Sequence, residues 1–129
     1  MDADKNLVYA GRLEDLPVIP TADHGGAEKR IVFGPGRFWE DYVARLFTIR
    51  QGATTPFHAH DWPHYVLILE GTAKGMIMGQ AIDLSAGSWA FVPPNTDHFF
   101  ENAGSGDLKF ICIVPKKGDT YWLDSEGSC

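Results

Sequence analysis

Four of the five histidines are spaced in a way that suits metal coordination. Three lie within the stretch His58-Ala59-His60-Asp61-Trp62-Pro63-His64, and His98 follows the turn Pro93-Pro94-Asn95-Thr96-Asp97. In an extended chain alternate side chains share a face, so His58 and His60 project together. Pro63 favours a turn, and His64, opening the next strand, points back toward that pair. His98, from a distant hairpin, completes a set of imidazoles, the side chain most often used to bind zinc, copper, iron or nickel. Taken singly, each histidine reads as a surface or hydrogen-bonded residue. As a set beside the apolar run Tyr65-Val66-Leu67-Ile68-Leu69, they would bury polar rings without partners unless an ion joined them. His24, in a glycine-rich stretch, reads as a surface residue.

Other residues border the same chemistry. Along Val43-Ala44-Arg45-Leu46-Phe47-Thr48-Ile49, strict alternation puts Arg45 on one face with Val43, Phe47 and Ile49. A guanidinium in that company needs a counter-charge, either a buried carboxylate or the carboxylate or enolate of a substrate near the metal. Along the last long strand Leu108, Phe110, Cys112 and Val114 share a face. If that face looks inward, Phe110 and Cys112 line a cavity. Cys112 is then a small core hydrophobe or, as the alternative, a catalytic thiol, and in either role it would be prone to oxidation beside a redox-active ion. Trp62, between two candidate ligands, braces their turn or rims the entrance. Met76 and Met78 read as core filler on one strand face, and Trp39, Trp89 and Trp122 as packing residues.

The elements that must position these side chains are short strands. Fourteen glycines and eight prolines, scattered without period through 129 residues, argue for turn-rich β structure in one domain. Strands are expected at Arg30–Phe33, Tyr42–Arg50, Thr54–His60, His64–Glu70, Ala73–Met78, Gln80–Leu84, Ser88–Val92, His98–Asn102 and Leu108–Val114, with glycine, proline and asparagine at the breaks. That spacing predicts an all-β sandwich or barrel over residues 30–115. An extended arm over 1–29 precedes it, packing on the barrel or on a dimer partner, and a tail over 116–129 follows.

Composition excludes several functions. The net charge of −6, with no basic stripe, argues against a nucleic-acid partner. No apolar run approaches the ~18 residues a bilayer span requires, and the acidic start, Met1-Asp2-Ala3-Asp4, is unlike a secretory signal. A cytoplasmic protein with no membrane partner is expected. Cys112 and Cys129 are too few for a disulfide framework. Serine-hydrolase, Walker and dinucleotide motifs are missing from the sequence.

Two stretches resemble the motifs of the cupins. Gly52, His58, His60 and Gly71 stand at the spacing of the first cupin motif, with His64 where the family usually has glutamate. Gly87, Pro93, His98 and Asn102 stand at the spacing of the second, with Asn95 in place of its last glycine. The resemblance implies a double-stranded β-helix, or jelly-roll barrel, with one divalent ion per chain held by His58, His60, His64 and His98. It is similar to a four-histidine subgroup of small bacterial cupins, in which an arginine is placed as Arg45 is. Manganese or iron is expected first, with copper, zinc or nickel as alternatives. Replacing a glutamate ligand by imidazole raises the net charge of the site, which strengthens Lewis acidity and attracts anions.

The expected function is that of a metalloenzyme acting on a small molecule: an oxygen-dependent dioxygenase cleaving a C–C bond in a small enolisable substrate. Arg45, Phe47, Trp62, Phe110 and Cys112 would contact that substrate. The alternatives are a metal-assisted isomerase, lyase or hydrolase, and a non-catalytic module that holds a metal or small ligand. The family commonly pairs through its sheets, and the apolar run from Tyr65 to Leu69 offers two apolar faces, so a homodimer is expected.

Overall fold

The computed structural model describes residues 9–19, 27–55 and 59–123. Its strands are β1 (Val18–Ile19), β2 (Ala27–Phe33), β3 (Tyr42–Ile49), β4 (His64–Glu70), β5 (Thr72–Ile77), β6 (Gln80–Ser85), β7 (Trp89–Val92), β8 (His98–Asn102) and β9 (Leu108–Pro115). They form two sheets, one in the order β1-β2-β3-β9-β4-β7 and a smaller one in the order β6-β5-β8, with every pair antiparallel. The inner faces enclose one core, in which Val43, Ile49, Val66, Val92, Leu108 and Val114 of the larger sheet meet Ala73 and Phe100 of the smaller. This is the jelly-roll barrel expected from the motifs.

Alternation sets which residues face that core. In β9, Leu108, Phe110, Cys112 and Val114 are buried, while Lys109, Ile111 and Ile113 are only half-buried. In β4, His64, Val66 and Ile68 point inward, and Tyr65, Leu67 and Leu69 are exposed. Asn95 takes the left-handed conformation with φ of 58°, which asparagine tolerates better than most residues, and so fills the place of a motif glycine. Asn102, the last position of the second motif, is buried. Its amide donates to the carbonyls of Ile49 and Gly106 and accepts from the Gly104 N–H, tying β8 to β3 and to the loop before β9.

Several expectations are corrected. Thr54–His60 is not a strand among its described residues: Thr54 makes one isolated bridge to Glu101, and Ala59 and His60 have no strand pairing. The Thr55 hydroxyl takes the Phe100 N–H, the bond that the Thr55 carbonyl would accept in a continued ladder. Met78 lies in the β5-β6 turn with φ of 53° and is exposed, so it does not share a strand face with Met76. Trp89 is 73% exposed and so is not a packing residue of the barrel, whereas Trp39, with its ring 5.1 Å from that of Tyr42, and Trp122, beneath the Lys116 ammonium, pack at the surface.

The described parts of the flanking segments pack on the barrel. Val18–Ile19 pairs with β2, which begins at Ala27 within the stretch read as arm. The Arg30 guanidinium also donates to the Leu16 carbonyl. After β9, a 3-10 turn over Lys116–Gly118 leads to Asp119, which is buried, and Tyr121, whose hydroxyl donates to the Pro35 carbonyl at 2.7 Å.

Candidate metal centre and its cavity

His64 and His98 are the first residues of β4 and β8, so each leaves a turn and enters a sheet with its ring directed inward. Both are buried, and their ring centroids are 4.7 Å apart. His60 lies 5.3 Å from His64 and 5.9 Å from His98 by the same measure. The Asn95 N–H donates to the His60 carbonyl, which joins the two motif loops and holds this ring against the others. One ligating nitrogen from each of the three falls within 4.8 Å of the other two. His58 lies outside the described residues, as does His24.

The surroundings of the rings favour coordination. His98 Nδ1 is 2.9 Å from the Thr96 carbonyl, a contact that a neutral ring makes only with its proton on Nδ1, leaving the Nε2 lone pair for an ion. His64 Nδ1 lies 3.5 Å from Cys112 Sγ, so its Nε2 is likewise turned to the centre. Three imidazoles at these separations, each oriented by a second contact, are a donor set that fits a divalent first-row ion. His60 is stacked on Trp62 with centroids 4.6 Å apart and planes 7° from parallel. The other side of that indole meets Gly118, where a Cβ would stand 2.7 Å from Nε1. Trp62 therefore braces His60 against the segment after β9, and its buried indole N–H has no hydrogen-bond partner among the described residues.

The three histidines form part of the wall of a cavity of about 200 Å³. Arg45, Phe47, Trp62, Phe110 and Cys112 also line it. Phe47 and Phe110 stack at 5.4 Å, and Phe100 meets Phe110 at 5.8 Å across the two sheets, giving an apolar floor. Burial pushes the Cys112 thiol above its ordinary pKa, against the opposing pull of Arg45.

Arg45 has an internal counter-charge. Its Nη1 lies 3.4 Å from Asp119 Oδ2, its Nε donates to the Cys112 carbonyl at 3.3 Å, and its Nη2 to Cys112 Sγ at 3.1 Å. Its guanidinium carbon stands 5.0 Å above the Phe47 ring centroid. The same Asp119 oxygen accepts from Lys29 Nζ at 2.8 Å, and Lys29 lines the cavity as well. Sequence reasoning missed both Lys29 and Asp119. One lay in the presumed arm and the other in the presumed tail, and no spacing rule links positions 90 residues apart.

Comparison with known proteins agrees with this architecture. Residues 45–114 match the cupin domain (Cupin_2), and the chain belongs to the cupin family. Mannose-1-phosphate guanylyltransferase RfbM of Salmonella typhimurium is 34% identical over 76 residues, a match that covers 57% of this chain and 16% of that protein. Among solved structures, the polyketide cyclase RemF from Streptomyces resistomycificus aligns with a TM-score of 0.74 at 19% identity, covering 84% of this chain and 80% of that one. A predicted oxalate decarboxylase from Thermotoga maritima aligns at 0.71 with 18% identity, covering 81% and 96%. KdgF from Halomonas sp. aligns at 0.68 with 18% identity, covering 81% and 90%. At such identities the likeness is one of fold. Among the described residues no helix is long and apolar enough to cross a membrane.

Proposed function

We propose that this chain is a metal-dependent cupin enzyme of the four-histidine type, and that it is a dioxygenase cleaving a C–C bond in a small enolisable substrate. The observation that supports this reading is the convergence of His60, His64 and His98 on the wall of an apolar cavity that also presents Arg45. His58, two residues before His60, would supply the fourth imidazole. Manganese or iron is our first assignment for the ion, and copper, zinc or nickel the second. When bound, such an ion supplies Lewis acidity and, for manganese or iron, access to redox chemistry with dioxygen. The chain's own residues do the rest. Arg45 offsets the charge of an enolate, Phe47, Phe100 and Phe110 exclude water, and Trp62 holds His60 in place.

One observation favours a second reading, in which the site works as a Lewis acid alone, as an isomerase, lyase or hydrolase. Cys112, a thiol 3.5 Å from His64 Nδ1, is a group that repeated oxygen chemistry would oxidise. Elemental analysis of protein prepared without chelator or affinity nickel, followed by oxygen-uptake assays on diketones and keto acids, separates these readings. Oxygen consumption matched to substrate loss is the expected result. Turnover that continues anaerobically would replace it by the Lewis-acid reading, and metal retention without turnover on any substrate by a ligand-holding module.

A further inference from the structure

We propose that Lys29 and Arg45 form a seat for the carboxylate of a small organic acid, with Asp119 as a built-in counter-ion that only half neutralises it. This deepens the reading above, and rests on it for the ligand's other end, which would lie at the histidines. Among the described residues two cations meet one carboxylate: Lys29 Nζ at 2.8 Å and Arg45 Nη1 at 3.4 Å share Asp119 Oδ2. The three side chains are 15%, 10% and 6% exposed respectively, so water screens the surplus charge poorly. A buried group with an uncompensated charge is costly unless an opposite charge joins it. Both cations line the cavity, which gives that charge a place.

The geometry supplies donors as well as charge. An ammonium has three N–H groups and a guanidinium five. Lys29 commits one of them to Asp119, and Arg45 spends three on Asp119 and Cys112. Cys112 Sγ lies 3.1 Å from Arg45 Nη2 and 3.5 Å from His64 Nδ1, so a ligand holding both the seat and the histidine centre needs only a short carbon chain. Phe47 and Phe110 would flank that chain.

Succinate, with succinamide as its uncharged counterpart, is a suitable probe in titration calorimetry on the full chain, both chelator-treated and metal-loaded. Succinate should bind the metal-free protein and succinamide should not. Lys29→Met should weaken binding about tenfold, the size of one charge-assisted contact, whereas Lys29→Arg should largely preserve it. Asp119→Asn should strengthen binding several-fold, because it removes the competing carboxylate; a purely structural role for Asp119 predicts the reverse. Equal binding of succinate and succinamide, or weakening by Asp119→Asn in a protein with an unchanged far-ultraviolet spectrum, would overturn the proposal. Should Lys29→Met fail to fold, the amide comparison and Asp119→Asn still decide. Because the first arm contains no metal, a failure of the histidine centre appears separately, as loss of metal uptake with succinate binding intact.

Discussion

At His98 a single backbone carbonyl decides which nitrogen is available, since the contact with Thr96 uses Nδ1 and leaves Nε2 turned to the centre. His64→Ala and His98→Ala should therefore each lower metal affinity by at least about a hundredfold, because loss of a mere supporting contact already costs about 10 to 100-fold. His24→Ala should leave it unchanged. Metal titration with a competing chelator measures all three, and equal retention by His98→Ala would remove the centre. These histidines were legible because a motif of a few residues fixes their spacing, and Arg45 because it interrupts an apolar alternation. Lys29 and Asp119 were not legible. Their meeting depends on the pairing of β2 with β3 and on the turn after β9, and each looks like an ordinary surface charge in its own neighbourhood.

At the scale of the elements, strands with clear two-residue alternation were readable almost to the residue, as in β4, β8 and β9. The failure at Thr54–His60 has a local cause: the Thr55 side chain takes a hydrogen bond that a backbone ladder would have made. Turns can be probed directly. Asn95 sits at φ of 58° and its N–H holds the His60 carbonyl, so the turn couples backbone conformation to ligand placement. Asn95→Gly should change stability little, while Asn95→Ala should cost about 1 kcal/mol, because alanine keeps the Cβ in left-handed backbone without the local side-chain hydrogen bonding by which asparagine tolerates it. Urea melts of both variants test this, and an unchanged midpoint for the alanine variant would contradict it.

The segment after β9 invites a pH test. Burial, and then the nearby Asp119 carboxylate, push the Tyr121 phenol above its ordinary value of 10.0. The folded chain thus keeps this proton when the unfolded chain has released it. The stabilising contribution is fully present below about pH 10 and is lost as pH rises beyond it. Tyr121→Phe should lose about 1 kcal/mol at pH 8, through the missing bond to the Pro35 carbonyl. Its stability should then fall less steeply than that of the wild type between pH 9 and 11. Parallel slopes for the two proteins would show that Tyr121 makes no such contribution.

For the whole molecule, the outer face of the larger sheet sets the last question. Tyr65, Leu67, Trp89 and Phe91 are 44%, 48%, 73% and 42% exposed, and they adjoin one another across the pairing of β4 with β7. Soluble monomers rarely leave a contiguous apolar patch of more than a few hundred Å² open to water. Beyond β7 no described strand continues this sheet. A second copy of the chain, offering the same face, would cover the patch in the symmetric way common to homodimers. The wild type should then sediment at twice the 14.3 kDa of one chain at micromolar concentration. Trp89→Glu should reduce it to a single chain by placing a charge in the interface core. Because Trp89 points away from the histidine cavity, the variant should still bind metal, which separates loss of pairing from loss of fold. A wild type that sediments as one chain would mean that the apolar face serves some other contact.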